Sequence, residues 1–475
     1  MKREIFFKES LSVGFAALAL ITVSSCTKTE NRPPNFVIIF TDDQGYNDLS
    51  CYGSTVVNTP NIDRMAAEGV RLTSFYVAAP LSTPSRAALM TGSYPSRVGL
   101  PKGSRHSVLL SNDIYGLNPD EITLAEVLKK KGYATAIYGK WHLGDQKAFL
   151  PTRQGFDEFF GIPYSHDIHP FHPNQKNFRF PPLPLYDGEK VIELEPDMDF
   201  MTKRLTDKAT DFIMRHRNTP FFLYMPHPMP HAPLHVSPEF YKTVSDSIKK
   251  KLSLENGYVD YNTRRLLFPQ VINEVDYSVG EIFKTLKKYK LDKNTLVIFT
   301  SDNGPAVGSA APLRGKKGSR YEGGVREPAV FWWPGKIPEG RVCDQMLSSM
   351  DIYPTIVRLA GAPIPDDRII DGKDIWPFLS GKPGAVSPHD KLFYHVGEKL
   401  VAVRAGKWKL HRTKPGEMEL YDLENDISEQ YNVASEHPDI VMKLGQYLDD
   451  FENEMNDSSK IRPVGNITII SDTNN

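Results

Sequence analysis

Apolar and β-branched runs alternate with helically spaced patterns over most of this chain. Four runs, residues 35–40, 134–138, 221–225 and 296–300, each pass at once into polar, chemically capable residues. Continuous apolar runs of this length, alternating with helices, predict an α/β body: a large, mostly parallel sheet flanked by helices on both faces. Residues 123–131 read as a helix closed by Gly132. Residues 271–288 read as another, with Val271, Val275, Val279, Ile282 and Leu286 at helical spacing. Open α/β sheets take ligands at the carboxyl ends of their strands, so the four polar clusters are expected to meet along one edge. From about Lys391 the pattern changes to short strands with strong turns, residues 392–395, 400–404, 408–411 and 419–421, followed by a helix over 437–451. This predicts a small antiparallel C-terminal subdomain with a covering helix, and the last residues, from Asn456, are expected to fray. The boundaries fall at 35–385 for the main domain and 386–475 for the subdomain.

The first segment stands apart. Lys2, Arg3 and Lys8 precede an apolar stretch over residues 11–23 that ends in Ser24-Ser25-Cys26. A charged flank, a short apolar stretch and small residues mark an export signal, too short to span a bilayer well. Its ending resembles a bacterial lipoprotein signal: residues 1–25 are removed, Cys26 carries the lipid, and residues 26–34 form a tether. The expected location is the periplasm or cell surface, reached through the lipoprotein export machinery and held at the membrane by the anchor. Only Cys51 and Cys343 remain, too few for a disulfide framework or a Cys-rich zinc site. With 57 Lys+Arg against 58 Asp+Glu and no long basic run, a nucleic-acid partner is not expected.

Two strand ends carry hard oxygen ligands. The run beginning at Asn35 ends in Asp42-Asp43-Gln44-Gly45, and the run beginning at Leu296 ends in Asp302-Asn303-Gly304. Carboxylates gathered at buried strand ends repel one another unless a cation neutralises them, and four oxygen donors suit calcium, or magnesium, better than zinc. Either segment alone is equally well a set of turn or helix caps; the matched pair favours a metal. Leu81-Ser82-Thr83-Pro84-Ser85-Arg86 reads as the entrance of a helix opened by Pro84 and stopped near Gly92, with Ser82 just before the opening. Exposed N–H groups and the helix dipole favour an anion there, and Arg86 lies one turn inside. Ser82 lacks the glycines of a nucleophile elbow, and the chain has no P-loop, dinucleotide fingerprint or His-Glu-x-x-His helix. What remains is a retinue of cations and imidazoles after strands or in glycine-rich loops: Lys140, His142, His231 and Lys317.

Taken together, these residues resemble the formylglycine-dependent (type I) sulfatases of the alkaline-phosphatase-like superfamily. Ser82-Thr83-Pro84-Ser85-Arg86 with Thr91-Gly92 is similar to the signature that directs oxidation of its first residue. Further likeness runs through residues 139–144, 301–304, 321–328 and 419–425, and residues 161–167 and 331–335 look most like the arylsulfatase A and N-acetylgalactosamine-6-sulfatase branch. The resemblance implies calcium held by Asp42, Asp43, Asp302 and Asn303, with formylglycine at position 82 completing the site. It implies that Arg86 and Lys140 stabilise the formylglycine hydrate, and that Lys140 and Lys317 neutralise the sulfuryl oxygens. His231 would protonate the leaving alcohol and His142 take the proton from the second hydroxyl. His231 is chosen over His227, and Lys317 over Lys316, by register. A serine at 82 implies an oxygen-independent maturase as partner, acting before export.

Residues 164–172 hold three histidines in one loop. Prolines break any regular ligand face there, and Ser165 resembles a residue that lines the sulfate pocket in the arylsulfatase A branch, so the loop is read as a substrate contact through Ser165 and His166 rather than a second metal site. The charge-rich stretch over residues 242–265 reads as a solvated helix face. The expected function is removal of O-sulfate from a glycan, a galactose or N-acetylgalactosamine sulfate by preference. Two rivals are a phosphoester or phosphonate-ester hydrolase of the same superfamily and a noncatalytic glycan-binding lipoprotein.

Overall fold

The structure is a computed structural model that describes residues 32–252, 263–414 and 416–472. The expected signal, Cys26 and most of the tether lie outside the described residues, as does part of the charge-rich stretch. Within that stretch, Lys249, Lys250 and Lys251 fall on the helix Asp246–Leu252, whose buried residue is Leu252.

Seven-residue apolar segments such as Asn35–Thr41 and Thr295–Ser301 are buried at every position, which requires cover on both sheet faces. Among the described residues, eleven strands form the main sheet. In spatial order they are Arg341–Cys343, Val70–Tyr76, Arg326–Trp332, Thr295–Ser301, Asn35–Thr41, Phe221–Pro226, Ala134–Lys140, Glu158–Ile162, Pro184–Asp187 and Lys190–Leu194, with Leu347–Ser348 also pairing Val70–Tyr76. The four strands expected from the sequence are the four adjacent central ones, and all pair in parallel. Antiparallel pairing is confined to the flanks, at Arg326–Trp332 and beyond Glu158–Ile162. One core lies on each face: Val37, Ile39, Leu223 and Val297 pack on Val275, Val279 and Ile282 of one helix, while Phe36, Ile38, Phe222 and Ile298 pack on the other side.

The helices follow their local signals. Thr123 caps Leu124–Lys130 with a full capping box, its Oγ1 accepting from Glu126 N while Glu126 accepts from Thr123 N. The serine helix differs from expectation at its start. It runs Ser82–Thr91, with Leu81 at the cap position and Ser82 already helical, so Pro84 stands inside the first turn rather than opening it. Proline is tolerated there because the first-turn N–H groups lack intrahelical partners anyway. Gly92, at φ 68°, ends the helix in the left-handed conformation.

The C-terminal sheet is antiparallel and formed in chain order by Lys391–Val396, Lys399–Ala405, Trp408–Lys414 and Glu417–Asp422, with Pro438–Asn456 packed over it. The expected fraying from residue 456 does not occur over the described part. Arg462 donates to Glu121 Oε1 and Ser93 Oγ, Arg97 reaches the Lys460 carbonyl, and Gly465–Asn466 pairs antiparallel with Tyr115–Gly116. Polar side chains, rather than an apolar pattern, hold this tail.

The two sheets are joined by a buried ionic network. Lys409 Nζ, fully buried, donates to Glu322 Oε1 at 2.7 Å and lies 3.4 Å from Glu429 Oε1, which also meets His411 Nε2 at 2.7 Å. Burial alone would raise the Glu322 carboxyl, but Lys409, Arg326 and Arg404 hold it below its ordinary value. Removing the cation takes one charged partner from each of two buried carboxylates. Lys409→Met is therefore expected to cost about 3–5 kcal/mol, measured as a fall in the urea midpoint; a loss below 1 kcal/mol would show the network to be dispensable.

Candidate active site

The register of the central strands places the chemistry. Thr41 is paired with Ser301, so the next residues, Asp42 and Asp302, leave adjacent strands at one level, and Asp302 N donates to the Thr41 carbonyl at 3.0 Å. The backbone then turns sharply. Asp43 takes φ 64° and His142 φ 62°, a left-handed conformation that non-glycine residues adopt at a cost of about 1–3 kcal/mol. Gly139 lets its strand approach its neighbour: a Cβ there would lie 2.0 Å from the Pro226 carbonyl oxygen. The next residue on that strand is Lys140.

Asp42, Asp43 and Asp302 are fully buried, and one carboxylate oxygen from each lies within 4.8 Å of the others. Around them, Lys140 Nζ meets Asp42 Oδ2 at 2.5 Å, Lys317 Nζ meets Asp43 Oδ1 at 2.8 Å, and Arg86 donates to Asp302 Oδ2 through Nε at 3.1 Å and Nη2 at 2.7 Å. Asn303 donates through Nδ2 to Asp43 Oδ1 at 2.8 Å, leaving its Oδ1 buried with no hydrogen-bond partner. A buried acceptor oxygen without a donor, on a side chain that touches the carboxylate cluster, fits a hard divalent cation in the calcium or magnesium class.

Ser82 stands at the same point. Its Oγ donates to Asp42 Oδ1 at 3.1 Å and accepts from Lys140 Nζ at 3.3 Å. Arg86, one turn along the helix, also holds the Lys140 carbonyl at 3.0 Å through Nη1. Ser82, His142, Ser165, His231 and Lys317 all line one cavity of about 250 Å³. His142 Nε2 lies 2.8 Å from the Leu109 carbonyl, which fixes the proton there and leaves the buried Nδ1 as a free lone pair. Burial, then Lys140 and Arg86, push the His142 imidazole well below its ordinary range. His231 is pushed the same way by burial and Lys317, with Asp167 opposing. Both rings are neutral at neutral pH, one suited to accept a proton at once and the other needing a negative guest to become charged. Burial raises Asp42, but Lys140 and Arg86 outweigh it and keep the carboxyl ionised. Lys317 is held above its usual value because Asp43 and Asp42 outweigh its burial.

All the metal-ligand candidates, with Ser82, Arg86, Lys140, His142, His231 and Lys317, are thus brought to one place. Lys316 is exposed, and His227 is buried against Ser278. Ser165 Oγ lies 3.4 Å from both ring nitrogens of His231. His166 does not line this cavity. Its Nε2 meets the Pro233 carbonyl at 2.9 Å, and it lines a neighbouring cavity of about 350 Å³ with His169, His235 and Arg264. The sequence reading passed over the apolar wall formed by Val108, Leu110, Phe178 and Phe180. Phe178-Arg179-Phe180 carries no periodic signal, and its stacking depends on two hydrogen bonds between Gln175 and the Phe180 backbone.

Comparison with known proteins gives the class. The sequence model of the sulfatase family matches residues 34–362, and a second model, N-sulphoglucosamine sulphohydrolase, C-terminal, matches residues 316–454. The chain belongs to the sulfatase family and is a sulfuric ester hydrolase. Within it, the chain is 40% identical over 401 residues to N-acetylgalactosamine-6-sulfatase of Canis lupus familiaris, covering 80% of this chain and 72% of that one. It is 37% identical over 470 residues to arylsulfatase A of Homo sapiens, covering 87% of each. A crystal structure of Ps i-CgsB in complex with k-i-k-neocarrahexaose superposes with a TM-score of 0.74 at 30% identity, covering 91% of this chain and 94% of that one. These relatives put the chain in the arylsulfatase A and N-acetylgalactosamine-6-sulfatase branch, with the α/β fold expected of it.

Calcium at a hundred times its dissociation constant is expected to stabilise the fold by about 2.7 kcal/mol. The readout is a rise in Tm that EDTA reverses and that Asp43→Asn largely removes. A Tm indifferent to both calcium and EDTA would speak against the carboxylate nest as a cation site.

Proposed function

We propose that this sulfatase removes O-sulfate from a sulfated glycan, a galactose or N-acetylgalactosamine sulfate by preference, using formylglycine made from Ser82. The observation that carries the mechanism is the position of Ser82 Oγ, between Asp42 and Lys140 at a buried helix N-terminus, in one cavity with His142, His231 and Lys317. The N-acetylgalactosamine-6-sulfatase relatives and the oligosaccharide complex among the structural neighbours support the choice of substrate.

In this reading Asp42, Asp43, Asp302 and Asn303 hold the divalent cation, which supplies positive charge to a bound sulfate group. At position 82, formylglycine hydrate would supply the nucleophilic hydroxyl for sulfur and a second hydroxyl through which sulfate could be released. The remaining work falls to the chain itself. Lys140 and Lys317 neutralise sulfuryl oxygens as negative charge builds on them. His231, beside Ser165, gives its proton to the departing sugar oxygen, and His142, held by the Leu109 carbonyl, takes a proton at Nδ1. Arg86 keeps Asp302 and the Lys140 backbone in place. The balance is one water consumed and one alcohol and one hydrogensulfate formed.

Ser82 is only 1% exposed, and its helix is buried at every position. An enzyme that oxidises it must therefore meet the chain unfolded, which accords with an oxygen-independent maturase acting before export. The proposed setting is an exported lipoprotein anchored through Cys26, in the periplasm or at the cell surface.

Mass spectrometry of the tryptic peptide over residues 72–86, from protein made in its native host, is expected to show loss of two hydrogens at Ser82. An unmodified serine in active protein would overturn the chemistry. His231→Ala is expected to reduce kcat/KM on sugar sulfates about 100- to 10,000-fold, the usual range for a general acid. Activated aryl sulfates should lose far less; equal losses on both would remove His231 from that role. Release of phosphate from matched aryl esters, measured alongside, separates the phosphoester alternative.

A further inference from the structure

One carboxylate in the catalytic cavity has no task in the chemistry above. Asp167 lines the cavity with Ser82, Ser165, His231 and Lys317, and it is not one of the three carboxylates of the cation nest. Its Oδ1 is buried without a hydrogen-bond partner, and its Oδ2 has His172 Nε2 at 4.0 Å, beyond hydrogen-bonding reach. Burial pushes this carboxyl up, but His231, His166, Lys317 and Lys140 together outweigh it and hold it below the ordinary value, the two lysines being the groups charged at neutral pH. The side chain is 18% exposed overall, so the partner that is missing is that of Oδ1, and a buried carboxylate oxygen without a donor calls for an explanation. The neighbouring walls indicate what kind of donor is missing. Phe178 and Phe180 stack at 4.8 Å between ring centroids, His172 meets both edge-on at 5.3 Å, and Val108 and Leu110 line the same cavity. A cavity of about 250 Å³ with an apolar aromatic wall, one acceptor-only group and a cationic floor suits a single pyranose ring.

Resting on the sulfatase reading above, we propose that Asp167 is the recognition residue for the leaving group, accepting a hydrogen bond from a neutral donor on the sulfated sugar while the ring lies against the Phe178–Phe180 wall. The donor is a hydroxyl or an acetamido N–H near the sulfated carbon. A second anionic substituent at that position is repelled, so the enzyme selects sugars that are neutral apart from the sulfate removed. The role belongs to binding rather than proton transfer. On this loop Ser165 Oγ lies 3.4 Å from the His231 ring nitrogens and the His166 ring packs edge-on against His231 at 5.5 Å between centroids.

Asp167→Asn, with Asp167→Ser as a second variant, separates the two roles when three probes are compared. These are galactose 6-sulfate with N-acetylgalactosamine 6-sulfate, cyclohexylmethyl sulfate, and 4-nitrophenyl sulfate. Cyclohexylmethyl sulfate presents the same primary alkyl leaving group on a six-membered ring that has no hydroxyls. A lost hydrogen bond to a charged group should lower kcat/KM on the sugar sulfates about 10- to 100-fold more than on cyclohexylmethyl sulfate. Equal losses on the sugar and cyclohexylmethyl sulfates would mean that Asp167 acts through His231 or through packing, and would overturn the proposal. Wild-type protein that cleaves the aryl sulfate but neither sugar sulfate would overturn it too, leaving the sulfatase reading intact. No sulfate released from any probe by protein carrying formylglycine would instead take down the reading beneath it.

Discussion

Three carboxylates forced together in the dry interior set the terms for the rest of this molecule. Asp42, Asp43 and Asp302 hold oxygens within 4.8 Å of one another with no solvent exposure. At an effective dielectric constant near 20, each pair repels by about 3–4 kcal/mol. Arg86, Lys140 and Lys317 answer them one for one, each within 3 Å of a carboxylate oxygen. The nest is then close to neutral, and a divalent cation leaves it with a positive surplus suited to an anionic ester. Glu327 and Asp48 lie near this cluster without adding to its negative charge in full. Burial, then Asp302 and Asp43, push Glu327 well above the carboxylate range, while burial raises Asp48 to about 7.

The carboxylates and the three cations that balance them come from five separate elements, so the fold must deliver each with little freedom. Strand register delivers Asp42 and Asp302 together. A glycine at 139 delivers Lys140 by removing the Cβ that would strike Pro226. The buried serine helix delivers Arg86. Lys317 comes from a loop, and the C-terminal sheet steadies that loop from behind: Arg314 donates to the Glu429 carbonyl at 2.8 Å and lies 3.8 Å over the Tyr321 ring, while Glu322 N donates to Glu429 Oε2. The buried Lys409–Glu322–Glu429 network is thus more than an interface between two sheets. It fixes the segment that presents Lys317 to the carboxylate nest, which gives a physical reason for placing so costly a set of charges in the interior.

How far the sequence could be read follows from the range of the forces involved. The four central strands, the long helix Phe268–Lys288 and the C-terminal sheet were legible because burial on both faces, helical spacing and turn residues are local signals. The nest was legible because like charges at matched strand ends make sense only together. The start of the serine helix was displaced by two residues because proline at the first helical position is a tendency, and here the helix begins earlier, at Ser82. The tail beyond residue 456 looked unstructured because its anchoring comes from long-range polar contacts, Arg462 with Glu121 and Arg97 with the Lys460 carbonyl, which leave no periodic trace. The same is true of the aromatic wall. Phe178 and Phe180 are brought to the cavity by a short loop held through Gln175, and nothing in the chain's pattern announces their destination.

The division between sheet and loops has a consequence for how specificity and catalysis are tied together. Ser165 touches the ring of His231, and Asp167, two residues further on, lines the same cavity. On the proposed function, one loop therefore carries both the residue beside the acid and the carboxylate assigned to the leaving group. A change that reshapes this loop for another sugar also moves Ser165 against His231, so altered recognition brings an altered acid. The cation nest is insulated from such changes, because its ligands leave the strand ends and are held by ion pairs from other elements. Chemistry on the sulfate can stay fixed while the leaving-group side varies, but proton delivery to the leaving group lies on the variable side.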